Sequence, residues 1–268
     1  MENLKYWIWL SRIKNLGSVR IQKLLNIYIS PKEIWKLKKE ELLSIDGIGE
    51  KIANEILDEK YKFNLEKIEQ QMKKENIELI TLEDEFYSKN LKQIYDKPIC
   101  VYVKGDKRIL NDFSLAIIGC RDCSEYGKRV AQTLGKTLAK EKITTISGLA
   151  RGIDGISQNA TVSENGKTIA VIGSGICNIY PKENIKLANE IIKKGGVIVS
   201  EYVPNEKAEK LNFPARNRII SGISSGVIVV EAKNKSGTMT TVDFALEQGK
   251  NVFAIPRKCN KYKFARNQ

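Results

Sequence analysis

Histidine is absent from this 268-residue sequence. Its absence excludes Ser-His-Asp and Cys-His nucleophilic chemistry, leaving carboxylates, lysine or simple positioning to any catalysis. Zinc also loses one of its usual ligand types. Cysteine is sparse, with five residues at 100, 120, 123, 177 and 259. That odd number, with a short apolar-aromatic Met1–Leu10 opening that lacks a cleavage site, predicts neither a disulfide framework nor a signal peptide. A cytoplasmic location is expected. Cys120 and Cys123 form one C-x-x-C with no second pair, read as two incidental thiols rather than a metal site. Apolar runs of the ~20 residues needed to cross a bilayer are missing, so no membrane partner is expected. No G-x-x-x-x-G-K-[ST] occurs, which disfavours a P-loop ATPase. Gly173-Ser174-Gly175 is not followed by the third glycine of a dinucleotide fingerprint. Neither a cofactor nor a metal is expected.

Positive charge is what the chain has in excess. Forty-five basic residues face 32 acidic ones, a net charge of +13. Such an excess favours an anionic partner. Its length suits one or two domains.

Residues 1–60 read as all-helical, with Trp7, Leu10, Ile13 and Leu16 at helical spacing and Pro31 restarting a helix. Leu42–Leu57 reads helix, tight Gly47-Ile48-Gly49 turn, helix. Two readings stand for it. One is a helix-hairpin-helix whose second helix start meets a DNA phosphate, and the other is a small bundle using glycine turns to pack. Gly17-Ser18 looks like a weaker copy. Residues 61–109 connect, with short strands expected at Ile77–Thr81 and Pro98–Val103 that extend the following sheet.

From Leu115 the pattern changes. Leu115–Ile118 is a continuous apolar run, and strands read at Ile143–Ile146, Thr168–Ile172, Val197–Ser200, Val227–Glu231 and Val252–Ile255 alternate with helices. This predicts an α/β fold, a mostly parallel, doubly wound Rossmann-like sheet over residues 110–256. In such sheets ligands bind beyond the carboxyl ends of the strands. Those ends carry Gly119 and Arg121; Ser147, Gly148 and Arg151; Gly173 and Gly175, then Tyr180, Lys182 and Asn184; the stretch from Phe213 through Arg216, Asn217 and Arg218; and Lys235, Ser236, Gly237 and Thr238. Glycine lets backbone N–H groups approach an oxyanion, while hydroxyls, lysine and arginine add donors. Each turn alone is a weak signal. Together they put cationic or hydroxyl-bearing residues on one rim. Phe213-Pro214 is read as a turn opening an apolar run, and Phe213 itself as core.

Gly119-Cys120-Arg121, Ser147–Asp154, Tyr180-Pro181 with Asn184, Ser200-Glu201-Tyr202, Phe213–Ser221 and Glu231–Thr238 together resemble the DprA/Smf DNA-processing family. The resemblance covers about residues 110–256, and the helical N-terminal region is similar to that family's N-terminal domain, of helix-hairpin-helix or SAM-like type. It implies an extended Rossmann-like fold that binds single-stranded DNA, loads the strand-exchange recombinase during natural transformation, forms homodimers and is not an enzyme. It also implies phosphate contacts for Arg121, Ser147, Gly148 and Lys182, and for Arg216 and Arg218 unless one of these pairs with Glu201 or Glu231. Tyr180, Tyr202 and Phe213 lie near enough to the rim to stack bases. Two departures stand out. Ser157-Gln158 occupies the place where the family shows histidine, with mild consequences expected because glutamine keeps a hydrogen bond. The 257–268 tail has five basic and no acidic residues and departs from the family's ending, which puts stability and dimerisation in question. A second reading, on fold analogy, is a nucleotide phosphoribohydrolase of the lysine-decarboxylase-like Rossmann group, with Glu201 or Glu231 polarising a ribose.

Overall fold

The structure is a computed structural model that describes residues 4–233 and 236–256. Lys235 and the 257–268 tail lie outside the described residues.

Six helices come first: α1 (Leu4–Arg12), α2 (Gly17–Ile27), α3 (Pro31–Ile34), α4 (Lys39–Leu43), α5 (Glu50–Leu57) and α6 (Leu65–Glu75). Their apolar positions turn inward, with Trp9, Leu10, Leu24, Leu42 and Ile56 essentially inaccessible to solvent. Two antiparallel strands follow, β1 (Glu78–Thr81) and β2 (Cys100–Gly105). The remaining chain alternates: β3 (Ser114–Gly119), α7 (Glu125–Lys140), β4 (Thr144–Ser147), α8 (Ile153–Ser163), β5 (Thr168–Ile172), α9 (Ile185–Lys193), β6 (Val197–Ser200), α10 (Asn212–Ile223), β7 (Gly226–Glu231), α11 (Gly237–Glu247) and β8 (Asn251–Ala254).

All eight strands form one sheet in the order β1-β2-β6-β5-β4-β3-β7-β8. From β6 to β8 every neighbour is parallel, and β2 joins β6 antiparallel. The expected α/β fold, with its Rossmann-like sheet extended by the two preceding strands, is the one observed. Strands β4 and β5 are buried along their whole length, which is why β5 reads as an apolar run without alternation, while the threonines and serine of β4 are buried with it. Strands β3 to β6 step outward on one side of β3, and β7 returns on the other. That reversal opens a crevice beyond the carboxyl ends of the central strands.

The sheet's two faces are covered differently. Ile219, Ile220 and Ile223 of α10 pack with Val171, Val199 and Val227 on one face. On the other, Ala131 and Leu138 of α7 pack with Ile117 and Ile228. The core of the N-terminal helices runs without a break onto Tyr102, Ala170 and Ile198 of the sheet.

One element differs from the sequence reading. The Phe213-Pro214 stretch is the first turn of α10, not a turn before an apolar run. Proline fits there because first-turn N–H groups have no intrahelical partner to lose.

Candidate nucleic-acid interface

Beyond the ends of β3, β4 and β5 lies a small cavity. It is lined by Arg121, Gly148, Ala150, Arg151, Tyr180, Pro181, Phe213 and Arg216. Six of these eight are candidates named from sequence. They arrive from four separate connections: the turn after β3, the turn after β4, the segment between β5 and α9, and the first turns of α10.

The floor is built from buried charge. Arg216 is only 4% exposed. Its Nη1 donates to Gly148 O at 2.8 Å and to Val171 O, and its Nε donates to Asn217 Oδ1 at 3.2 Å. Among the described residues no hydrogen bond uses Nη2. Burial pulls the Arg216 pKa down to about 10, against the pull of Asp154 in the other direction. Asp154 is buried too, and burial raises its pKa despite Arg216. Its Oδ2 accepts the Gly148 N–H at 3.1 Å. A Cβ on Gly148 would sit 2.7 Å from both Arg216 Nη2 and Asp154 Oδ2. Glycine is therefore required here by the closeness of two charged groups.

The rim carries aromatic faces and an exposed cation. Tyr180, 44% exposed, packs on Phe213 with ring centroids 5.6 Å apart, and the Arg121 guanidinium lies 5.7 Å over the Phe213 ring. Phe213 is thus a rim residue and not the core residue expected, because α10 begins just before it and turns it toward Tyr180. Arg151 is exposed and pairs with Glu183.

Several other candidates shape the site from behind. Ser147 is fully buried, its Oγ donating to Ile117 O at 2.6 Å. Asn184 Nδ2 donates to Leu149 O at 2.8 Å and Ala150 O at 3.2 Å. Gly173 supports Phe213, whose Cδ1 lies 3.1 Å from where a Cβ would stand. Gly119 makes room for Ile153, and Gly175 for the 203–204 backbone. Lys182 is exposed beside the cavity without lining it.

Others lie apart. Arg218 is buried and bridges Glu201, at 2.7 Å, and Asp96, at 3.1 Å, so of the alternatives left open it takes Glu201. Asn217 Nδ2 donates to Gly237 O at 3.1 Å, tying α10 to the start of α11 with Ser236 and Thr238. Tyr202 is half-buried outside the cavity, and burial lifts its phenol to about 12.

Sequence reasoning missed Asp154 as a floor residue. An acidic residue in the first turn of α8 was a signal, but one that reads equally as helix capping. It also underrated Gln158. This fully buried side chain accepts the Leu149 N–H at 3.1 Å and donates to Ile169 O at 3.1 Å and Thr168 Oγ1 at 3.2 Å. Glutamine there fixes the turn after β4.

Among the described residues there is no cluster of three or more metal-ligating side chains, and no helix is long and apolar enough to cross a membrane.

The family model described as DNA recombination-mediator protein A matches residues 78–268. Protein Smf of Escherichia coli is 44% identical over 181 residues, which are 68% of this chain and 48% of that protein. The chain therefore spans about half the length of that relative. The crystal structure of DNA processing protein A from Streptococcus pneumoniae superposes with a TM-score of 0.80 at 33% identity, covering 96% of this chain and 88% of that one. DNA processing protein A from Helicobacter pylori, solved for its single-stranded DNA binding mode, gives a TM-score of 0.62 at 34% identity over 68% of this chain and 83% of that one.

Proposed function

The chain belongs to the DNA recombination-mediator protein A family, and on that premise we propose that it binds single-stranded DNA at the Arg121–Arg216 cavity and delivers it to a strand-exchange recombinase during DNA uptake. It does so as a cytoplasmic homodimer and without catalysing a reaction. The observation that carries this reading is the pairing of two arginines with two aromatic faces in one cavity. Arg121 and the unused Nη2 of Arg216 offer donors for phosphate oxygens. Tyr180 and Phe213 offer ring faces to bases, at about 1–3 kcal/mol per stacked base. Such a site follows the backbone and is tolerant of sequence.

The nucleotide-hydrolase reading needs a carboxylate aimed at a ribose. None of the eight residues lining the cavity is acidic, and Asp154 beneath them is buried against Gly148 N–H and Arg216. Glu201 is taken by Arg218, and Glu231 Oε2 accepts from Ser124 N at 3.0 Å and Ser124 Oγ at 2.9 Å.

The test is fluorescence anisotropy of a labelled oligothymidine, single-stranded against duplex, across a salt series. Preference for the single strand, weakening with salt, is expected. Arg121→Ala is expected to weaken binding to all sequences alike and to flatten the log–log salt slope by about 0.7, one single-strand phosphate contact. A folded protein that binds no oligothymidine at low salt overturns the proposal. Release of free base from a nucleoside monophosphate would establish the alternative.

A further inference from the structure

Arg218 sits two residues from Arg216 on α10, about 200° round the helix, and so points away from the cavity. Its partners come from two distant segments. Glu201 follows β6, and Asp96 belongs to the 94–97 turn. Burial opposes the Arg218 charge, but the two carboxylates outweigh it and hold the pKa above the ordinary arginine value. Nη1 is left buried without a partner, so the side chain is held by those two ion pairs.

The 94–97 turn is gripped in its turn by the N-terminal helices. Ser18 Oγ of α2 donates to Asp96 O at 3.0 Å. Gln22 Nε2 donates to Tyr95 O and to Lys97 O, both at 3.3 Å. The same segment meets α10 again further along. Asn90 Nδ2 donates to Ile223 O at 3.0 Å, and a Cβ on Gly222 would stand 2.8 Å from Leu91 Cδ1 and 3.2 Å from Ile94 Cδ1. A continuous chain of polar contacts thus leads from α2 through the turn to Arg218, and along one helix to Arg216 in the cavity floor.

We propose that Asp96 is a positioning residue: through Arg218 it sets where α10 presents Arg216, and so couples the N-terminal helices to the strand-binding cavity. The inference rests on the reading of that cavity as a single-stranded DNA site.

Charge makes the test decisive. Asp96→Ala and Asp96→Asn each remove one negative charge, so electrostatics alone would tighten DNA binding equally in both. Positioning predicts otherwise. Asp96→Ala is expected to bind oligothymidine about three- to tenfold more weakly than the parent protein, with a salt slope flattened by up to about 0.7 as Arg216 turns from its phosphate. Asp96→Asn keeps an oxygen beside Arg218 Nε but removes the charge of the ion pair, and is expected to restore the affinity in part. The charge-neutral pair Ser18→Ala with Gln22→Ala releases the turn from the other side and is expected to weaken binding in the same direction. Amide hydrogen exchange without DNA gives an independent readout, with faster exchange expected over residues 216–220 in Asp96→Ala. Binding by a folded Asp96→Ala protein that equals or exceeds the parent's, or unchanged exchange in α10, overturns the coupling. Should Asp96→Ala fail to fold, the Ser18/Gln22 pair decides. A parent protein that binds no oligothymidine refutes the reading of the cavity, while the exchange experiment still judges the brace.

Discussion

Gly148 shows how little freedom a single position has at this site. Its backbone N–H serves Asp154, its carbonyl serves Arg216, and the space over its Cα is shared by their charged ends. Neither charge is tolerable in a buried setting by itself, since each would lose its hydration without compensation. Asp154 and Arg216 steady one another across the glycine, and both are anchored to the main chain of the turn after β4. A methyl group on residue 148 has to displace one of them. Gly148→Ala is expected to lower stability by about 1–3 kcal/mol, the cost of overpacking a rigid site. It is also expected to remove oligothymidine binding by shifting Arg216. A thermal melt beside an anisotropy titration checks both, and an alanine variant with the parent's melting temperature and affinity would refute the packing argument.

At the scale of elements, α7 packs against α8, and Gly135 is a point of close approach between them. A Cβ there would strike the Ser157 carbonyl and stand 3.0 Å from Ala160 Cβ. Alanine is the better helix former by about 1 kcal/mol, so propensity and packing oppose each other. The obstacle is backbone on the neighbouring helix, which does not rotate aside. Gly135→Ala is therefore expected to be net destabilising by about 1–2 kcal/mol, read as a lower urea midpoint at unchanged m-value. Elements were legible in the sequence wherever burial is two-sided: β5 was read at Thr168–Ile172 and lies there residue for residue. Helix α10 was not, because Pro214 and the Arg-Asn-Arg triplet interrupt the apolar stripe that marks a helix. Those polar residues are buried for reasons remote in sequence. Arg218 finds Asp96 more than a hundred positions upstream, and local spacing carries no trace of that pairing. Glycine turns were legible as turns but ambiguous in purpose. Gly119 and Gly175 admit a neighbouring side chain or backbone, whereas Gly148 and Gly173 shape the cavity. The members of the rim could be named from the strand ends, but their division into lining, supporting and remote residues depends on side-chain direction.

For the whole molecule, weak acids wholly or partly buried set a limit at alkaline pH. Burial pushes the Cys100 thiol and the Tyr202 phenol up to about 12, and raises Tyr87 and Tyr102 further. In the unfolded chain these groups lose protons at their ordinary values, about 8.5 for a thiol and about 10 for a phenol. Between the ordinary and the raised value the folded state therefore holds more protons than the unfolded one. Stability is complete below that window and is lost as pH rises through it, at up to about 1.4 kcal/mol per pH unit for each group. Two effects work the other way: deprotonating lysines relieves the repulsion within a chain of net charge +13, and the buried Arg216, held down to about 10, sheds its proton more readily in the folded state above that pH. Most of those lysines are at the surface, and about 0.15 M salt screens them beyond roughly 8 Å, so the buried acids prevail. Melting temperature is expected to be level from pH 7 to 8.5 and to fall ever more steeply toward pH 11. Tyr102 provides the control. Its hydroxyl is buried without a hydrogen bond, the neighbouring Ser11 Oγ donating instead to Ile8 O at 2.9 Å. Tyr102→Phe keeps the ring and removes an orphaned polar group, so it is expected to be neutral or stabilising at pH 7. It is also expected to make the alkaline decline shallower by one group's share. A variant whose melting curve falls with the parent's slope would show that the phenol has no part in the decline, and that the loss of stability at high pH begins elsewhere in the chain.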